Sequence, residues 1–391
     1  MSVPYSRMDT MMNAVHKLSV EIGPRGSASE AEHWAAEYVA DRLRNTGYTV
    51  AIESFRSVTS FSWAYGTYFA VFVIAAFLLV VGITPVIPAV LALLALVAFG
   101  LESSGIETLT RILPQRPSQN VVGHIIPPAE ASRHIVVTAH IDSARSALLW
   151  HPRIVGMFRQ LLLLAILSML VITILAITSI FVASFWLRLV ALIADVYVTV
   201  ILFLLLDREV RGQITHGAND NASGVGVLLG VAESFAVQPL AIDTDVWIVA
   251  TGCEEAGTVG MMRFMQRHGK DLPKDSTVFV NIDNVGAGYV TYTTAEGILI
   301  PLSTDRDLTA TADSFSQAHP ECSIHGRGYH SLTTDAIIPL SQGRRAISIM
   351  AFDVRGHLPN WHWHTDTMDH IDPRTISIAH DLTEAMVRSI N

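Results

Sequence analysis

The chain has 391 residues, of which 50% are hydrophobic and 16% are charged, and its mean hydropathy is +0.40. This balance is unusual for a soluble protein and indicates a membrane-embedded part. The net charge is −9 and no Lys/Arg-rich run occurs, so the sequence lacks the basic surface that nucleic-acid binding requires. With only Cys253 and Cys322 present, a disulfide framework and cysteine-only metal sites are excluded.

The first 57 residues predict soluble α/β structure. Met8–Leu18 has helical spacing, and Ser29 provides a start signal for a second helix that extends to about Thr46. Tyr48–Phe55 alternates polar and apolar residues as a strand does. The N-terminus lacks a long apolar run after a basic start, so we expect no secretory signal.

A long apolar block follows, because Trp63–Leu101 contains no charged residue. A helix needs about 20 apolar residues to cross a bilayer, and Pro85 and Pro88 lie near the middle of the block. We therefore predict two crossings, near 62–82 and 86–102. A buried helical hairpin in a large soluble core is the alternative interpretation.

A second apolar block predicts crossings three and four. Leu161–Val182 is uncharged, and Phe185–Leu206 is interrupted only by Arg188 and Asp195. These two residues are seven positions apart and share a helix face. An ionisable group within the bilayer is costly and marks either a polar functional site or a structural contact. We favour the structural interpretation, either a polar pair or a helix–helix hydrogen bond.

The remaining sequence alternates short β-branched runs with helical patterns. This alternation predicts an α/β domain with a mixed, largely parallel sheet and helices on both faces. Two transmembrane hairpins interrupt the domain, so the expected order is domain residues 1–57, hairpin 58–110, domain residues 111–152, hairpin 153–207 and domain residues 208–391. The predicted strands are Val121–Ile126, Ile135–Ala139, Val246–Ala250 and Val278–Ile282, and the predicted helices are Val225–Phe235, Val259–His268 and Ile371–Ile390.

Four motifs carry acidic and imidazole side chains near the predicted strand ends: TAHIDS (138–143), GANDNASG (217–224), TGCEEAG (251–257) and VNIDNVG (280–286). Sites in α/β sheets form at the carboxyl ends of strands, so these side chains are expected to converge. Each motif alone is a weak signal, since an Asp-Asn before Ser-Gly is by default a turn or helix cap. Their order and strand context together indicate metal chemistry.

The mixture of imidazole and carboxylate groups suits zinc. A bridging carboxylate allows two ions to lie about 3.5–4 Å apart. Successive side chains of an extended Glu254–Glu255 segment would point in opposite directions. One carboxylate would then bind metal, while the other would face the substrate water as general base.

On these motifs the chain resembles the M28 family of zinc metallopeptidases, which contains aminopeptidases, some carboxypeptidases and the related glutaminyl cyclases. The stretch IGPRGSASEAEHWAAEYVADRLRNTGYTVAIESF resembles the family's N-terminal helix and first strand, and SQNVVGHI resembles the strand before the first metal ligand. The resemblance implies the zinc-exopeptidase fold and a zinc-dependent exopeptidase activity on peptides.

The resemblance also implies the residues of a centre with two Zn²⁺ ions. His140 and Asp283 would hold the first ion, Glu255 and a final histidine the second, and Asp220 would bridge both. Two further roles follow by the same route: Glu254 is the implied general base, and Asp142 is the residue that would orient the His140 imidazole.

The final histidine is ambiguous in the segment NWHWHTDTMDHID. The family places this ligand four residues before an Asp-Thr pair, which favours His362 before Asp366 and Thr367. Members often have threonine directly after the ligand, which favours His364. We prefer His362, because the spacing determines where the loop delivers the ring.

Substrate specificity stays open. The segment TTDAIIPLSQG (333–343), with Asp335 at its polar turn, resembles a pocket-lining segment of the family. Arg145, Arg327 and Tyr329 are further residues that could contact substrate. The family's Gly-Leu-x-Gly-Ser after Glu-Glu is replaced here by 257–261, GTVGM, so neither the preferred residue nor the choice between amino- and carboxypeptidase follows from the sequence.

Two hairpins place all soluble segments on one side of the bilayer. Positive charge near crossings marks the cytoplasmic side, and the hairpin tips offer at most Arg188. We therefore expect a four-helix protein of the bacterial inner membrane whose catalytic domain faces the cytoplasm, with peptide substrates and the lipid bilayer as its partners. The arginines on the domain side are Arg56, Arg111, Arg116, Arg153, Arg159, Arg208 and Arg211.

The function predicted from the sequence is a di-zinc metallopeptidase, most simply an aminopeptidase. A glutaminyl cyclase-like acyltransferase with one zinc ion and an inactive receptor or scaffold are the alternatives. The complete set of ligand positions argues against both.

Overall fold

A computed structural model describes residues 7–82 and 84–390. The chain forms two compact units. The first comprises the described parts of Met1–Thr59, Gln115–Ser146 and Gln213–Asn391, and the second comprises Ser60–Pro114 and Ala147–Gly212. Their assignment as a catalytic and a membrane domain stays a prediction.

Nine strands form one sheet in the first unit. They are β1 (Thr49–Ser57), β2 (Arg116–Ile125), β3 (Arg133–His140), β4 (Thr244–Thr251), β5 (Thr277–Ile282), β6 (Tyr289–Glu296), β7 (Leu302–Ser303), β8 (His325–Tyr329) and β9 (Arg345–Phe352). The strand order is β1-β2-β4-β3-β5-β9-β6-β7, and β8 pairs with β6. The four central strands, β4-β3-β5-β9, are mutually parallel.

The chain also forms twelve α-helices. They are α1 (Arg7–His16), α2 (Glu30–Asn45), α3 (Ser62–Val81), α4 (Val86–Ser103), α5 (Leu109–Ile112), α6 (Phe158–Thr178), α7 (Phe185–Arg211), α8 (Gly224–Val237), α9 (Val259–His268), α10 (Arg306–Ala318), α11 (Ile337–Ser341) and α12 (Pro373–Ile390). This count applies to the residues described.

Helices cover both faces of the sheet because successive residues of a strand point to opposite sides. In β3, Ile135 and Val137 join the core formed with α1, α2, α8 and α12. Val136, between them, packs with Phe264 of α9 and Ile338 of α11 on the other side. All residues of β4 and β5 are buried, as expected for parallel strands covered twice. The predicted fold class is confirmed.

The region after Asp283 differs from the sequence-based expectation, which assigned no element before the C-terminal helix. The structure has four strands, β6 to β9, and two helices, α10 and α11, in this region. Threonine, glycine and charged residues break the apolar pattern in β6 (YVTYTTAE) and β8 (HGRGY). Those strands gain their stability from pairing with neighbours rather than from an amphipathic pattern of their own.

In the second unit, four helices are long and apolar enough to cross a membrane: α3, α4, the α6 helix with its preceding turn, and α7. Small residues such as Ala76, Ala176 and Ala191 are buried between the helices, which permits the close approach typical of membrane helices. Ile74 and Leu94 are exposed at 53% and 63%, which leaves an apolar outer surface.

Arg188 and Asp195 do not form the polar pair considered from the sequence. The Arg188 guanidinium lies beside Gly82 at the C-terminal end of α3, about 3.0 Å from the position a Cβ would take there. The negative end of a helix dipole attracts a cation. Within the described residues, no hydrogen bond or ion pair joins Arg188 to the half-buried Asp195.

Candidate metal centre

Parallel pairing brings His140 and Asp283 together. β3 ends at His140, and β5, its parallel neighbour, ends one residue before Asp283. His140 Nε2 lies 3.5 Å from Asp283 Oδ1 and 3.2 Å from Asp220 Oδ1. The three side chains are almost completely buried. They form the first cluster of the centre.

Asp220 belongs to both halves of the centre. It lies in the tight turn Ala218–Ser223 that leads into α8. Its Oδ1 faces His140, while its Oδ2 lies 3.1 Å from His362 Nε2. The same His362 nitrogen is 3.3 Å from Glu255 Oε1. Two clusters of one histidine and two carboxylates therefore share Asp220.

The donor set fits divalent cations. Within each cluster, one ligand atom from every residue lies within 4.8 Å of the others. Asp220 Oδ2 and Glu255 Oε1 are buried, and neither accepts a hydrogen bond from any described residue. Buried oxygens without donors are rare in folded proteins, whereas imidazole nitrogen together with carboxylate oxygen is a zinc donor set.

Electrostatics within the centre are dominated by the excess of carboxylates. Burial raises the pKa of Glu255, and the nearby Asp220 carboxylate raises it further. Burial alone would raise the pKa of Asp220, but the contacts with the His140 and His362 rings together lower it. A bound cation would stabilise the ionised form of every carboxylate in the centre.

Glu254 and Glu255 do not lie on the extended segment that the sequence predicted. After β4 the chain turns, and Cys253 adopts the left-handed conformation with φ 54°. Both carboxylates then approach His140, instead of pointing to opposite sides. Glu255 is buried and Glu254 half-buried, so the two still differ in their access to solvent.

Asp142 contacts more than the His140 ring. His140 Nδ1 lies 3.1 Å from the Asp142 carbonyl oxygen and 3.5 Å from its Oδ1. The Asp142 carboxylate accepts hydrogen bonds from the backbone N–H groups of Glu254 and Glu255, both at 3.1 Å. Ser27 Oγ donates to it at 2.6 Å. Asp142 therefore contacts the turn that carries the two glutamates.

The structure brings His362, the preferred final histidine, to the cluster. His362 is 4% exposed and contacts both Asp220 and Glu255. His364 is exposed, and its ring packs against Trp363 with centroids 4.7 Å apart.

Asp366 contacts the backbone at Asp220, which the sequence did not predict. In the sequence, Asp366 served only to choose the final histidine by its spacing. Its carboxylate accepts hydrogen bonds from the N–H groups of Asn219 at 2.6 Å and Asp220 at 3.1 Å. Burial, followed by the Asp220 charge, raises the pKa of Asp366 to about 7. The fixed spacing between His362 and Asp366 was the sequence signal that could have indicated a role for Asp366 beside Asp220.

Arg25 is a second residue without a sequence-based prediction. Its guanidinium is fully buried and donates to the carbonyl oxygens of Leu18, Gly23, Ile141, His216 and Gly217 at 2.7 to 3.0 Å. Burial lowers its pKa to about 10. Arg25 links the segment after β3 to the segment before Asp220.

Two of the proposed pocket residues lie next to the carboxylates. Asp335 is buried and accepts a hydrogen bond from Thr251 Oγ1 at 2.5 Å, and burial raises its pKa to about 7. Tyr329 is 4% exposed, and burial together with the charges of Asp283 and Asp220 raises its pKa. Arg327 lies over the Phe352 ring at 5.0 Å. Substrate contacts of these residues stay predictions.

Solved structures with a similar arrangement of strands and helices include zinc aminopeptidases and a glutaminyl cyclase. BSAP, a zinc aminopeptidase from Bacillus subtilis, is similar with a TM-score of 0.59 at 16% identity, covering 100% of this chain and 96% of that chain. Tannerella forsythia glutaminyl cyclase is similar with a TM-score of 0.54 at 17% identity, covering 97% and 98%. At such identities the similarity concerns the fold, which is that of the zinc exopeptidases.

The model of peptidase family M28 matches residues 200–387. The probable lipoprotein aminopeptidase LpqL of Mycobacterium tuberculosis is 25% identical over 186 residues, which cover 41% of this chain. The chain spans 23% and 37% of the lengths of the two curated relatives it matches. The resemblance to the M28 zinc metallopeptidases is thereby confirmed.

Proposed function

We propose that this protein is a di-zinc exopeptidase, most simply an aminopeptidase, in which Glu254 is the general base. His140, Asp220 and Asp283 would hold one ion, and Asp220, Glu255 and His362 the other. The observation that carries the proposal is Asp220, whose two oxygens face two different histidines at 3.2 and 3.1 Å.

The metal supplies Lewis-acid activation of water and of a carbonyl group. Glu254 would take a proton from the attacking water and return it to the leaving amine. Burial raises the pKa of Glu254 well above its ordinary value, and the neighbouring carboxylates of Glu255 and Asp335 raise it further, although His140 opposes the shift. A raised pKa brings a carboxylate closer to the neutral range in which a base both accepts and releases a proton.

Metal content and turnover of two variants test the proposal. Purified wild type is expected to contain two zinc ions per chain and to release amino-terminal residues from peptides. Asp220→Ala should lose zinc, because both clusters lose a shared ligand. Glu254→Gln should keep zinc while kcat falls about 10²- to 10⁴-fold, which is the contribution of proton transfer by a positioned base. Near-normal hydrolysis by Glu254→Gln protein would refute the role of Glu254.

A glutaminyl cyclase-like acyltransferase is the second candidate, favoured by the similarity to the Tannerella forsythia enzyme. Such a reaction with one zinc ion would leave one of the two clusters without metal. One zinc ion per chain, together with cyclisation of an amino-terminal glutamine and no peptide hydrolysis, would favour this alternative.

A further inference from the structure

Glu32 is a buried carboxylate that no metal cluster includes. It lies in the first turn of α2 and is 0% exposed. Its Oε2 accepts hydrogen bonds from Ala28 N at 3.0 Å and Ser118 Oγ at 2.8 Å. No Lys or Arg in the described part of the chain forms an ion pair with it. Hydrogen bonds alone therefore stabilise this carboxylate.

The other oxygen of Glu32 reaches a distant segment. Oε1 accepts a hydrogen bond from the backbone N–H of Cys253 at 2.8 Å, and Cys253 Sγ lies 3.4 Å away. Cys253 directly precedes Glu254 and has the uncommon φ of 54°. A non-glycine residue keeps such a conformation only where surrounding contacts determine it.

The turn has little freedom to move towards the sheet. A Cβ on Gly252 would lie 2.5 Å from the Gln119 carbonyl oxygen and 3.0 Å from Glu32 Oε1. Gly252 N also donates to Asn120 Oδ1 at 3.1 Å. The backbone before Glu254 is thus held between β2 and the Glu32 carboxylate.

Two buried carboxylates together bind three successive N–H groups of the turn. Glu32 binds that of Cys253, and Asp142 binds those of Glu254 and Glu255. Three hydrogen bonds on consecutive N–H groups leave the backbone little rotational freedom. The position of the Glu254 side chain therefore depends on both carboxylates.

Helix capping does not account for these contacts. Ser29 already caps α2, since its side chain accepts a hydrogen bond from Glu32 N at 3.2 Å. A glutamate at this position can return a hydrogen bond to the start of the helix, and Oε2 does so through Ala28. The contact of Oε1 with Cys253, 221 positions away, adds nothing to the helix.

We propose that Glu32 is a positioning residue for the turn 253–255 and thereby for the general base Glu254. The inference rests on the proposed function for the role of Glu254, but the effect on the turn does not. Glu32 touches neither substrate nor metal and acts through the backbone of Cys253. In Glu32→Gln, an NH₂ group replaces one of the two carboxylate oxygens. The hydrogen-bond donors that contact that oxygen then lose their acceptor.

Glu32→Gln tests the proposal, with Glu30→Gln as the matched control, because Glu30 is exposed in the same helical turn. In Glu32→Gln, hydrogen–deuterium exchange of the amides in 252–258 should become at least about tenfold faster. With an amino-acid p-nitroanilide as substrate, kcat should fall about 10- to 100-fold, as small displacements of catalytic groups do. KM should stay within about twofold and zinc content should be unchanged, whereas Glu30→Gln should match wild type in all measurements.

The outcomes separate this inference from the proposed function. Unchanged exchange of 252–258 in folded Glu32→Gln protein overturns the inference, whether or not the wild type hydrolyses peptides. Faster exchange with unchanged kcat overturns the link to Glu254. A wild type without zinc-dependent hydrolysis overturns the proposed function, while the exchange result still decides the role of Glu32 in the turn.

A second variant covers failure of Glu32→Gln to fold. Ser118→Ala removes the 2.8 Å hydrogen bond to Oε2 and leaves the carboxylate free to turn away from Cys253. Exchange of 252–258 should then rise about two- to fivefold and kcat should fall to a similar extent, because one neutral donor to a carboxylate is lost. Wild-type exchange and kcat in Ser118→Ala would overturn the inference in that case.

Discussion

At the scale of single residues, the shared carboxylate of Asp220 organises the centre. Its two oxygens face His140 and His362, and each histidine has a second carboxylate partner, Asp283 or Glu255. Five buried side chains thus form two overlapping clusters. Without a cation, burying this many carboxylates would be costly, which is the physical reason for proposing a metal centre here rather than a hydrogen-bonded core.

The choice between the two histidines leads to a residue-scale prediction. His362→Ala should remove one zinc ion per chain, because the ring contacts both Asp220 and Glu255. His364→Ala is the control and should keep both ions, since its ring is exposed and packs on Trp363. Zinc content measured by mass spectrometry under native conditions decides between them. Loss of zinc in His364→Ala alone would contradict the assignment.

At the scale of elements, a short two-stranded segment joins the first two metal motifs. Residues 143–146 run beside 213–215, with Ser146 N donating to Gln213 O and Thr215 N donating to Ala144 O, both at 2.8 Å. His140 lies just before this segment and Asp220 just after it. Arg25 binds the carbonyl oxygens of Ile141, His216 and Gly217 at its base. This pairing joins the two parts of the first unit that residues 147–212 separate in the sequence.

Arg25→Met is therefore expected to be strongly destabilising. It removes the guanidinium donor from five carbonyl oxygens, of which only Leu18 O and Gly217 O keep a backbone donor among the described residues. Each buried acceptor left unpaired costs about 1–3 kcal/mol. Unfolding in detergent should show a loss of at least about 3 kcal/mol. Arg42→Met is the control, because Arg42 forms a half-exposed ion pair with Glu233 at 2.7 Å, and such a pair contributes about 1 kcal/mol or less. Equal stabilities of the two variants would contradict the role of Arg25.

At the scale of the whole molecule, the second unit contains four helices that are long and apolar enough to cross a membrane. The helices lie in two sequence-adjacent pairs, α3 with α4 and α6 with α7. In the predicted topology, each pair would return the chain to the side of the bilayer from which it came. The soluble segments before, between and after the pairs can therefore fold as one α/β domain.

Reporter fusions test this topology. A reporter between residues 84 and 87, at the tip of the first hairpin, should read as outside the cytoplasm, because the tip carries no positive charge. A reporter at the C-terminus should read as cytoplasmic, on the side where the arginines near the crossings are concentrated. The same compartment for both reporters would rule out the hairpin, and reversed readings would rule out the predicted orientation.

The sequence predicted the fold class and the positions of the four long helices well, for reasons that are local. The uncharged run Trp63–Leu101 is long enough for two apolar helices. Strands β3 and β5 contain the apolar runs Ile135–Val137 and Val278–Val280, which lead to His140 and Asp283. Strands β6 and β8 were missed, because their threonine and glycine residues have no periodic pattern and only pairing with neighbours orders them. The Arg188–Asp195 pair, one of the alternatives considered, is not formed, and the Arg188 guanidinium lies beside the end of α3 instead.

The sequence by itself determined which chemical groups are present and that parallel strand ends bring His140 and Asp283 to one edge of the sheet. Only the tertiary structure decided that Glu254 and Glu255 lie in a turn and both approach His140. It also decided that His362 reaches Asp220 and that Glu32 contacts Cys253. Local patterns determine where a side chain lies along its own element. Contacts across hundreds of positions depend on how elements pack, which no local pattern encodes.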